Sequence, residues 1–117
     1  MAQVLALVDD LFFQAKILET AKHVGVAVRT YTMGDALLAE ISTETPKLVI
    51  VDLNARNAPL QTISRVCAAA PGSALVAYLS HVQTGLAQQA REAGCTQVMP
   101  RSQFTRDLAT ILGQAKS

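Results

Sequence analysis

Apolar residues gather along the chain in short runs, separated by stretches with helical spacing. Three of the runs lack the polar alternation of a half-exposed strand, and they cover residues 4–8, 48–51 and 74–79. Strands of this kind have both faces covered, as in a parallel sheet flanked by helices. Two weaker runs, at 26–30 and 97–99, complete five predicted strands. The more polar run at 26–30 suits an edge of the sheet.

The stretches between these runs have the spacing of amphipathic helices. The first of these helices has one apolar stripe formed by Leu11, Ala15 and Leu18. A second stripe beside it is formed by Ile17, Ala21 and Val24. Gly25 ends this helix, because glycine accepts the left-handed conformation at a helix C-terminus. Further helices are predicted at 35–41, 59–70, 83–93 and 104–115. Pro59 suits a first helical turn, and Ser102 is the predicted N-cap of the last helix.

Five strands and five helices in strict alternation predict an α/β fold, with a doubly wound parallel sheet between two helix layers. The length of 117 residues fits one domain over 1–117. Half of the residues are hydrophobic but only 4% are aromatic, so an aliphatic core is expected. We expect no separate output domain within this chain.

Charge and cysteine content argue against several classes of protein. The net charge is +1 with no basic block, so neither nucleic acid nor a membrane surface is an expected partner. The apolar runs are far shorter than the roughly 20 residues of a spanning helix, and the start lacks a basic signal region. These features favour a cytoplasmic protein. Cys67 and Cys95 have no zinc-ligand spacing, so we expect free thiols that fill the core.

Polar side chains follow four of the five predicted strands. They are Asp9 and Asp10 after the first strand, Asp52 after the third, Ser80 and His81 after the fourth, and Arg101 after the fifth. Ligands of such sheets bind at the carboxyl ends of the strands, near the point where the strand order reverses. Three carboxylates, a hydroxyl and a guanidinium are therefore expected to meet in one small cleft.

Clustered carboxylates repel one another unless a cation lies among them. Mg²⁺ suits such a cluster, because it binds one or two carboxylates together with waters and phosphate oxygens. A carboxylate beside the ion can attack a phosphoryl group and form an acyl phosphate. The ion and a nearby cation then neutralise the charge on the phosphoryl oxygens. We therefore expect a weak, magnesium-selective site at Asp9, Asp10 and Asp52.

Several of these segments together resemble the receiver domain of response regulators, in particular the single-domain chemotaxis regulators. The matching segments are Val-Asp-Asp at 8–10, Met-Gly-Asp-Ala-Leu at 33–37, Pro-Lys-Leu-Val-Ile-Val-Asp-Leu-Asn at 46–54, Tyr-Leu-Ser at 78–80 and Ala-Gly at 93–94. The resemblance covers essentially the whole chain. It implies a flavodoxin-like (βα)5 fold with the strand order 2-1-3-4-5.

The resemblance also implies a role for each polar residue. Asp52 would be the phosphoacceptor, and Ser80 the switch hydroxyl that turns toward the phosphoryl group. Magnesium would be held by Asp9, Asp10, Asp52 and the backbone carbonyl of Asn54. Arg101 takes the place of the family's lysine as the cation that contacts the phosphate, and His81 lies at the rim of the pocket.

The function implied by the resemblance is a two-component signalling switch, phosphorylated at Asp52 in the presence of Mg²⁺. The expected partners are a sensor histidine kinase or phosphotransfer protein and a downstream protein. A monomer or weak dimer is expected. No enzymatic turnover is expected beyond self-dephosphorylation.

The chain departs from the family's pattern at four places. Arg101 and Ser102 replace a lysine and a proline, Val98 replaces the aromatic residue of the fifth strand, and His81 replaces a small residue. The loop at 54–60 also lacks the Met-Pro and Asp-Gly of the family. These departures keep a second class open: a degenerate receiver that acts only as a protein-interaction module. A small-ligand binder on the same fold is a third class.

The site residues also have simpler interpretations. Asp10 or Ser80 would then cap a helix, and Arg101 would be an exposed loop cation. If Arg101 instead faces the pocket, its planar guanidinium favours two-point pairing with a carboxylate. We therefore predict a bidentate Arg101–Asp52 pair that slows phosphorylation. Because Val98 is not aromatic, we expect any response to pass through the helix at 83–93 and the last helix.

Overall fold

The computed structural model describes residues 3–80 and 83–116. Strands and helices alternate along the chain as the sequence predicts. The strands are β1 (Val4–Leu7), β2 (Val28–Tyr31), β3 (Leu48–Asp52), β4 (Ala74–Leu79) and β5 (Gln97–Pro100). The helices are α1 (Leu11–Val24), α2 (Gly34–Thr43), α3 (Pro59–Ala69), α4 (Thr84–Ala93) and α5 (Arg101–Gly113).

The five strands form one parallel sheet in the order β2-β1-β3-β4-β5. This is the predicted flavodoxin-like order, and the polar strand β2 lies at an edge as expected. The chain crosses from β2 at one edge to β3 on the other side of β1, so the strand order reverses between β1 and β3. A crevice for ligands is expected at this point.

Alternating residues of the strands divide the core into two layers. One layer lies under α1 and α5 and includes Val4, Ile50, Val76 and Phe104. The other lies under α2, α3 and α4 and includes Leu5, Val51, Ala77 and Ile63. Since both faces of the sheet are covered, the central strands are apolar throughout, as the sequence indicated.

Of the two apolar stripes predicted for helix α1, the second is buried, at Ile17 and Ala21, and the first is not. Its buried residues are Phe13, Ile17 and Ala21, whereas the side chains of Leu11 and Leu18 are exposed. The ring of Phe13 contacts two other buried rings of the core, and burial of this large side chain sets the phase. The prediction that Gly25 ends the helix is confirmed, because Gly25 has a left-handed φ of 85°.

Two local predictions are wrong for geometric reasons. Ser102 does not cap α5, because β5 runs directly into the helix and Pro100 occupies the N-cap position. Cys67 does not fill the core: it is exposed on α3, beside the buried stripe, while Cys95 is half-buried and both thiols are free. Cys67 packs against Gly94, where a Cβ would lie only 2.7 Å from the sulfur.

Within 3–80 and 83–116, no helix combines the length and the apolar character that a membrane span requires.

Candidate functional site

Asp52 lies at the carboxyl end of β3 and is almost completely buried, with 4% of its surface exposed. Its Oδ1 accepts a hydrogen bond of 2.8 Å from the backbone N–H of Asn54. Burial raises the pKa of Asp52 above its usual value, and the nearby carboxylates of Asp9 and Asp10 raise it further. The Asn54 N–H and the charge of Arg101 oppose this rise.

An aromatic floor of Phe13, Tyr78 and Phe104 lies beside Asp52, on the α1/α5 side of the sheet. The ring centroids of Tyr78 and Phe104 are 4.5 Å apart, and those of Phe13 and Tyr78 are 5.0 Å apart. Three of the five aromatic residues of the chain are thus collected at one place. The sequence analysis missed this cluster, since it expected an aliphatic core throughout.

Asp9 is held by the loop that follows β3. The backbone N–H of Arg56 donates to Oδ2 of Asp9 at 3.0 Å, and the Nε of the same arginine donates to the same oxygen at 3.3 Å. The sequence analysis did not name Arg56, because nothing in the pattern of a short loop marks one arginine as a partner for an acid 47 positions earlier.

Asp10 has two partners. Its Oδ1 accepts from the backbone N–H groups of Phe12 and Phe13, at 3.0 and 3.3 Å, and so caps α1. Its Oδ2 lies 3.4 Å from Nη2 of Arg101. The capping alternative for Asp10 is therefore confirmed, and the same carboxylate also faces the pocket.

The predicted bidentate pair between Arg101 and Asp52 is wrong. Among the described residues the guanidinium forms one ion pair, with Asp10, and its Cζ lies 4.6 Å from the centroid of the Phe13 ring. A planar cation gains attraction from the face of an aromatic ring, and the observed phase of α1 presents that face. Arg101 is nevertheless no free loop cation, because it lines the pocket next to Asp52.

The side chain of Asn54 connects two loops of the site. Its Oδ1 accepts from the backbone N–H of Ser80 at 2.6 Å, and its Nδ2 donates to Oε1 of Gln83 at 3.1 Å. The sequence analysis named only the backbone carbonyl of Asn54, so this bridge is an additional role. Ser80 does not cap α4, whose N-cap position is occupied by Gln83. The prediction for His81 lies outside the described residues.

The donor atoms of the acid cluster are of the right kind for a divalent ion, because carboxylate oxygens are the ligands that Mg²⁺ prefers. Their arrangement is not that of a formed metal centre. In the described part of the chain, no group of three or more His, Cys, Asp or Glu residues is placed to hold a metal ion. Arg56 and Arg101 instead engage one carboxylate oxygen each of Asp9 and Asp10, so an ion that binds here competes with the arginines for these acids.

A cavity of about 390 Å³ lies on the other side of Arg56, between the starts of α2 and α3. Gly34, Asp35, Thr62 and Arg65 also line it. Asp35 and Arg65 form an ion pair of 2.7 Å across it. This cavity is separate from the acid cluster and shares only Arg56 with it.

The (βα)5 fold of this chain recurs in solved structures. The receiver domain of NtrX from Brucella abortus superposes with a TM-score of 0.82 at 20% identity, and the match covers 96% of each chain. A CheY-like response regulator receiver domain protein from Methanospirillum hungatei gives a TM-score of 0.85 at 16% identity, over 97% of this chain and 92% of that chain. This chain has the receiver-domain fold.

A further structure with the receiver-domain fold is a response regulator from Burkholderia pseudomallei with a phosphorylated aspartic acid, a calcium ion and citrate. It matches with a TM-score of 0.79 at 18% identity, over 99% of this chain and 74% of that chain. A longer NtrX chain in complex with ADP is matched over only 26% of its length, so this chain spans about a quarter of that protein. No protein-family profile and no curated protein sequence matches the chain.

Proposed function

We propose that this domain is a receiver of two-component signalling that accepts a phosphoryl group on Asp52. The observation that carries the proposal is the position of Asp52 on the receiver-domain fold. It is a buried carboxylate at the end of β3, beside the point where the strand order reverses. Asp9 and Asp10 lie close enough to shift its pKa.

The proposed reaction is an in-line transfer to the carboxylate. A carboxylate oxygen of Asp52 attacks the phosphorus of the donor, and the bond from phosphorus to the leaving group breaks with its electron pair. The Asn54 N–H holds Oδ1 and so fixes the orientation of the nucleophile. Arg101 turns from Asp10 to the phosphoryl oxygens and stabilises their charge.

A divalent ion, proposed as Mg²⁺, would be held by Asp9, Asp10, Asp52 and the Asn54 carbonyl, and would neutralise charge on the phosphoryl oxygens. Ser80 is the proposed switch hydroxyl, because its backbone is tied to the loop after Asp52 through Asn54. A sensor histidine kinase or phosphotransfer protein is the proposed donor, and a downstream protein the proposed receptor of the signal. We place the protein in the cytoplasm, as a monomer or weak dimer.

Intact-protein mass spectrometry after incubation with acetyl phosphate and magnesium tests this proposal. We expect one added phosphoryl group in the wild type and none in Asp52→Asn. Asp35→Asn is the matched control, because Asp35 lies on α2 with an exposed side chain and should leave labelling unchanged. Absence of the adduct from the wild type, under conditions that label an established receiver, would contradict the proposal.

A second candidate is a phosphorylation-independent interaction module. The ion pairs Arg56–Asp9 and Arg101–Asp10 favour it, because they neutralise the acid cluster without a metal. The phosphorylation experiment described above also distinguishes the two candidate functions. If the module interpretation holds, the wild type stays unlabelled and magnesium does not change its melting temperature.

A further inference from the structure

Two polar atoms next to Asp52 are buried without a hydrogen-bond partner among the described residues. They are the hydroxyl oxygen of Tyr78 and the Nε of Arg101. Buried polar groups in native proteins nearly always have a partner, and each exception calls for an explanation. In the described part of the chain these are the only such side-chain atoms, and both lie at the same site.

The backbone places Tyr78 directly beside Asp52. The two residues are register partners on the neighbouring strands β3 and β4, which lie about 4.8 Å apart in a sheet. Ile50 and Val76, two positions earlier in each strand, belong to the α1/α5 layer of the core. Because side chains alternate along a strand, Asp52 and Tyr78 project from the same face of the sheet.

The Tyr78 ring is fixed by its neighbours, and its hydroxyl faces the charged groups of the site. Phe104 stacks on the ring at an interplanar angle of 19°, and Phe13 packs against it. Arg101 lies alongside, with its Cζ 5.8 Å from the ring centroid. Burial raises the pKa of Tyr78 far above its usual value, and the Asp52 carboxylate adds to the rise, whereas the charge of Arg101 and its interaction with the hydroxyl oxygen oppose it. An interaction in which Arg101 donates to that oxygen leaves the Tyr78 O–H without an acceptor. The hydroxyl therefore keeps its proton at neutral pH and can act as a hydrogen-bond donor.

A buried tyrosine hydroxyl without a hydrogen-bond partner lowers the stability of the folded state. A buried donor without a partner costs about 1–3 kcal/mol, and phenylalanine fills the same volume without that cost. The same holds for the unused Nε–H of Arg101. An oxygen acceptor would satisfy both donors, and none lies within hydrogen-bond distance of either among residues 3–80 and 83–116. A group attached to Asp52, the adjacent side chain, is the acceptor that the proposed function provides.

We propose that the Tyr78 hydroxyl and the Arg101 Nε–H form a donor pair for one oxygen of the phosphoryl group on Asp52. The pair would position the phosphoryl group from the α1/α5 side of the sheet. This inference rests on the proposed function and adds Tyr78 to its binding residues. Tyr78 takes no covalent part, since its role is to donate one hydrogen bond.

The first test observes the hydroxyl directly. The chain contains two tyrosines, Tyr31 and Tyr78, so Tyr31→Phe leaves Tyr78 as the only one. Tyr31 hydrogen-bonds to Glu40 at the β2 edge, away from the site. With tyrosine labelled at the ring carbon that bears the hydroxyl, NMR should show one resonance that shifts when magnesium and beryllofluoride, a phosphoryl mimic, are added. An unshifted resonance in a protein that binds the mimic would overturn the inference.

The second test compares affinities and stabilities. Tyr78→Phe should bind beryllofluoride roughly tenfold or more weakly, the loss expected for one hydrogen bond to a charged group. The same variant should unfold at a higher urea concentration, because an unsatisfied hydroxyl is removed. Tyr31→Phe should keep the wild-type affinity. Opposite signs for binding and stability distinguish a donor held for a ligand from a merely structural hydroxyl.

The results of these two tests distinguish a failure of the proposed donor pair from a failure of the proposed receiver function. If the wild type binds the mimic and Tyr78→Phe binds it equally well, the donor pair is refuted and the receiver function stands. If the wild type neither binds the mimic nor takes up phosphate, both are refuted. If Tyr78→Phe is less stable than the wild type, the hydroxyl already has a partner, such as a buried water, and the inference fails on that ground.

Discussion

Arg56 donates two hydrogen bonds to a single oxygen of Asp9, one from its backbone N–H and one from its Nε. The side chain of Arg56 is 87% exposed, whereas that of Asp9 is only 17% exposed. The loop after β3 therefore covers the acid from the solvent side. An ion that enters the cluster has to break the side-chain contact, while the backbone contact can remain.

We expect Arg56→Ala to bind magnesium about two- to fivefold more tightly than the wild type. The gain is small because an exposed ion pair contributes at most about 1 kcal/mol. Calorimetric titration with magnesium measures it. Arg29→Ala is the control, since Arg29 pairs with Glu40 at the β2 edge and its loss removes the same charge far from the acids. Equal changes in the two variants would indicate a general charge effect and would contradict a specific contact.

The burial of Asp52 makes the stability of the domain depend on pH. Folding raises the pKa of Asp52 above its ordinary value of 3.8, so the folded state holds a proton that the unfolded state releases. The stabilising contribution is complete below about that value and is lost as the pH rises through the higher, folded-state pKa. At neutral pH the ionised carboxylate is therefore a net cost.

Asp52→Asn, which keeps the shape and the acceptor for the Asn54 N–H, should accordingly melt at a higher temperature than the wild type at pH 7. A shift of roughly 4 °C corresponds to about 1 kcal/mol in a domain of this size. The difference should shrink as the pH falls toward 3.8. Melting curves between pH 3 and pH 8 provide the measurement, and a difference that is constant over this range would refute the assignment.

Asn54 should be a structural link between the loops after β3 and β4. Asn54→Ala removes the acceptor of the Ser80 N–H, and we expect a loss of about 1 kcal/mol together with faster hydrogen exchange at the Ser80 amide. Asn57→Ala is the control, because Asn57 donates to the carbonyl of Thr32 on the other side of the site. Asn57→Ala should lose a similar amount of stability, but exchange at the Ser80 amide should not change.

The close approach of α2 and α3 depends on Gly34. A Cβ at this position would collide with the side chain of the buried Thr62, so Gly34→Ala should destabilise the domain by about 1–3 kcal/mol. Gly85 is the matched control, since a Cβ there meets nothing within 4 Å and alanine is favoured in a helix by about 0.5–1 kcal/mol. Urea unfolding should therefore give opposite signs for the two glycine-to-alanine variants.

The fold and the location of the site could be predicted from the sequence because both depend on alternation along the chain. Apolar runs identify the strands, and the residues that follow them must meet at one edge of a parallel sheet. Asp9, Asp10, Asp52 and Arg101 lie there as expected. Their identities as ligands and phosphoacceptor remain proposals.

The partners of these side chains could not be predicted, and one error explains two others. The two predicted stripes of α1 placed Ile17 and Ala21 correctly but also included Leu11 and Leu18, which are exposed, and left out Phe13, which turns inward. With Phe13 misplaced, the aromatic floor beneath Asp52 could not be foreseen. The resting position of Arg101 over the Phe13 ring was missed for the same reason. The sequence shows how apolar residues are spaced along a helix, but three-dimensional packing decides which face of the helix is buried.

The division of the core by the sheet has an energetic consequence. Side chains of the α1/α5 layer, such as Ile50, and those of the opposite layer, such as Val49, share a strand but no common packing environment. Substitutions that shorten one side chain in each layer should therefore change the unfolding free energy additively. Two substitutions within one layer should not, because they open a shared cavity. The floor beneath Asp52 can thus accumulate changes over evolution without compensation from the helices on the other side of the sheet.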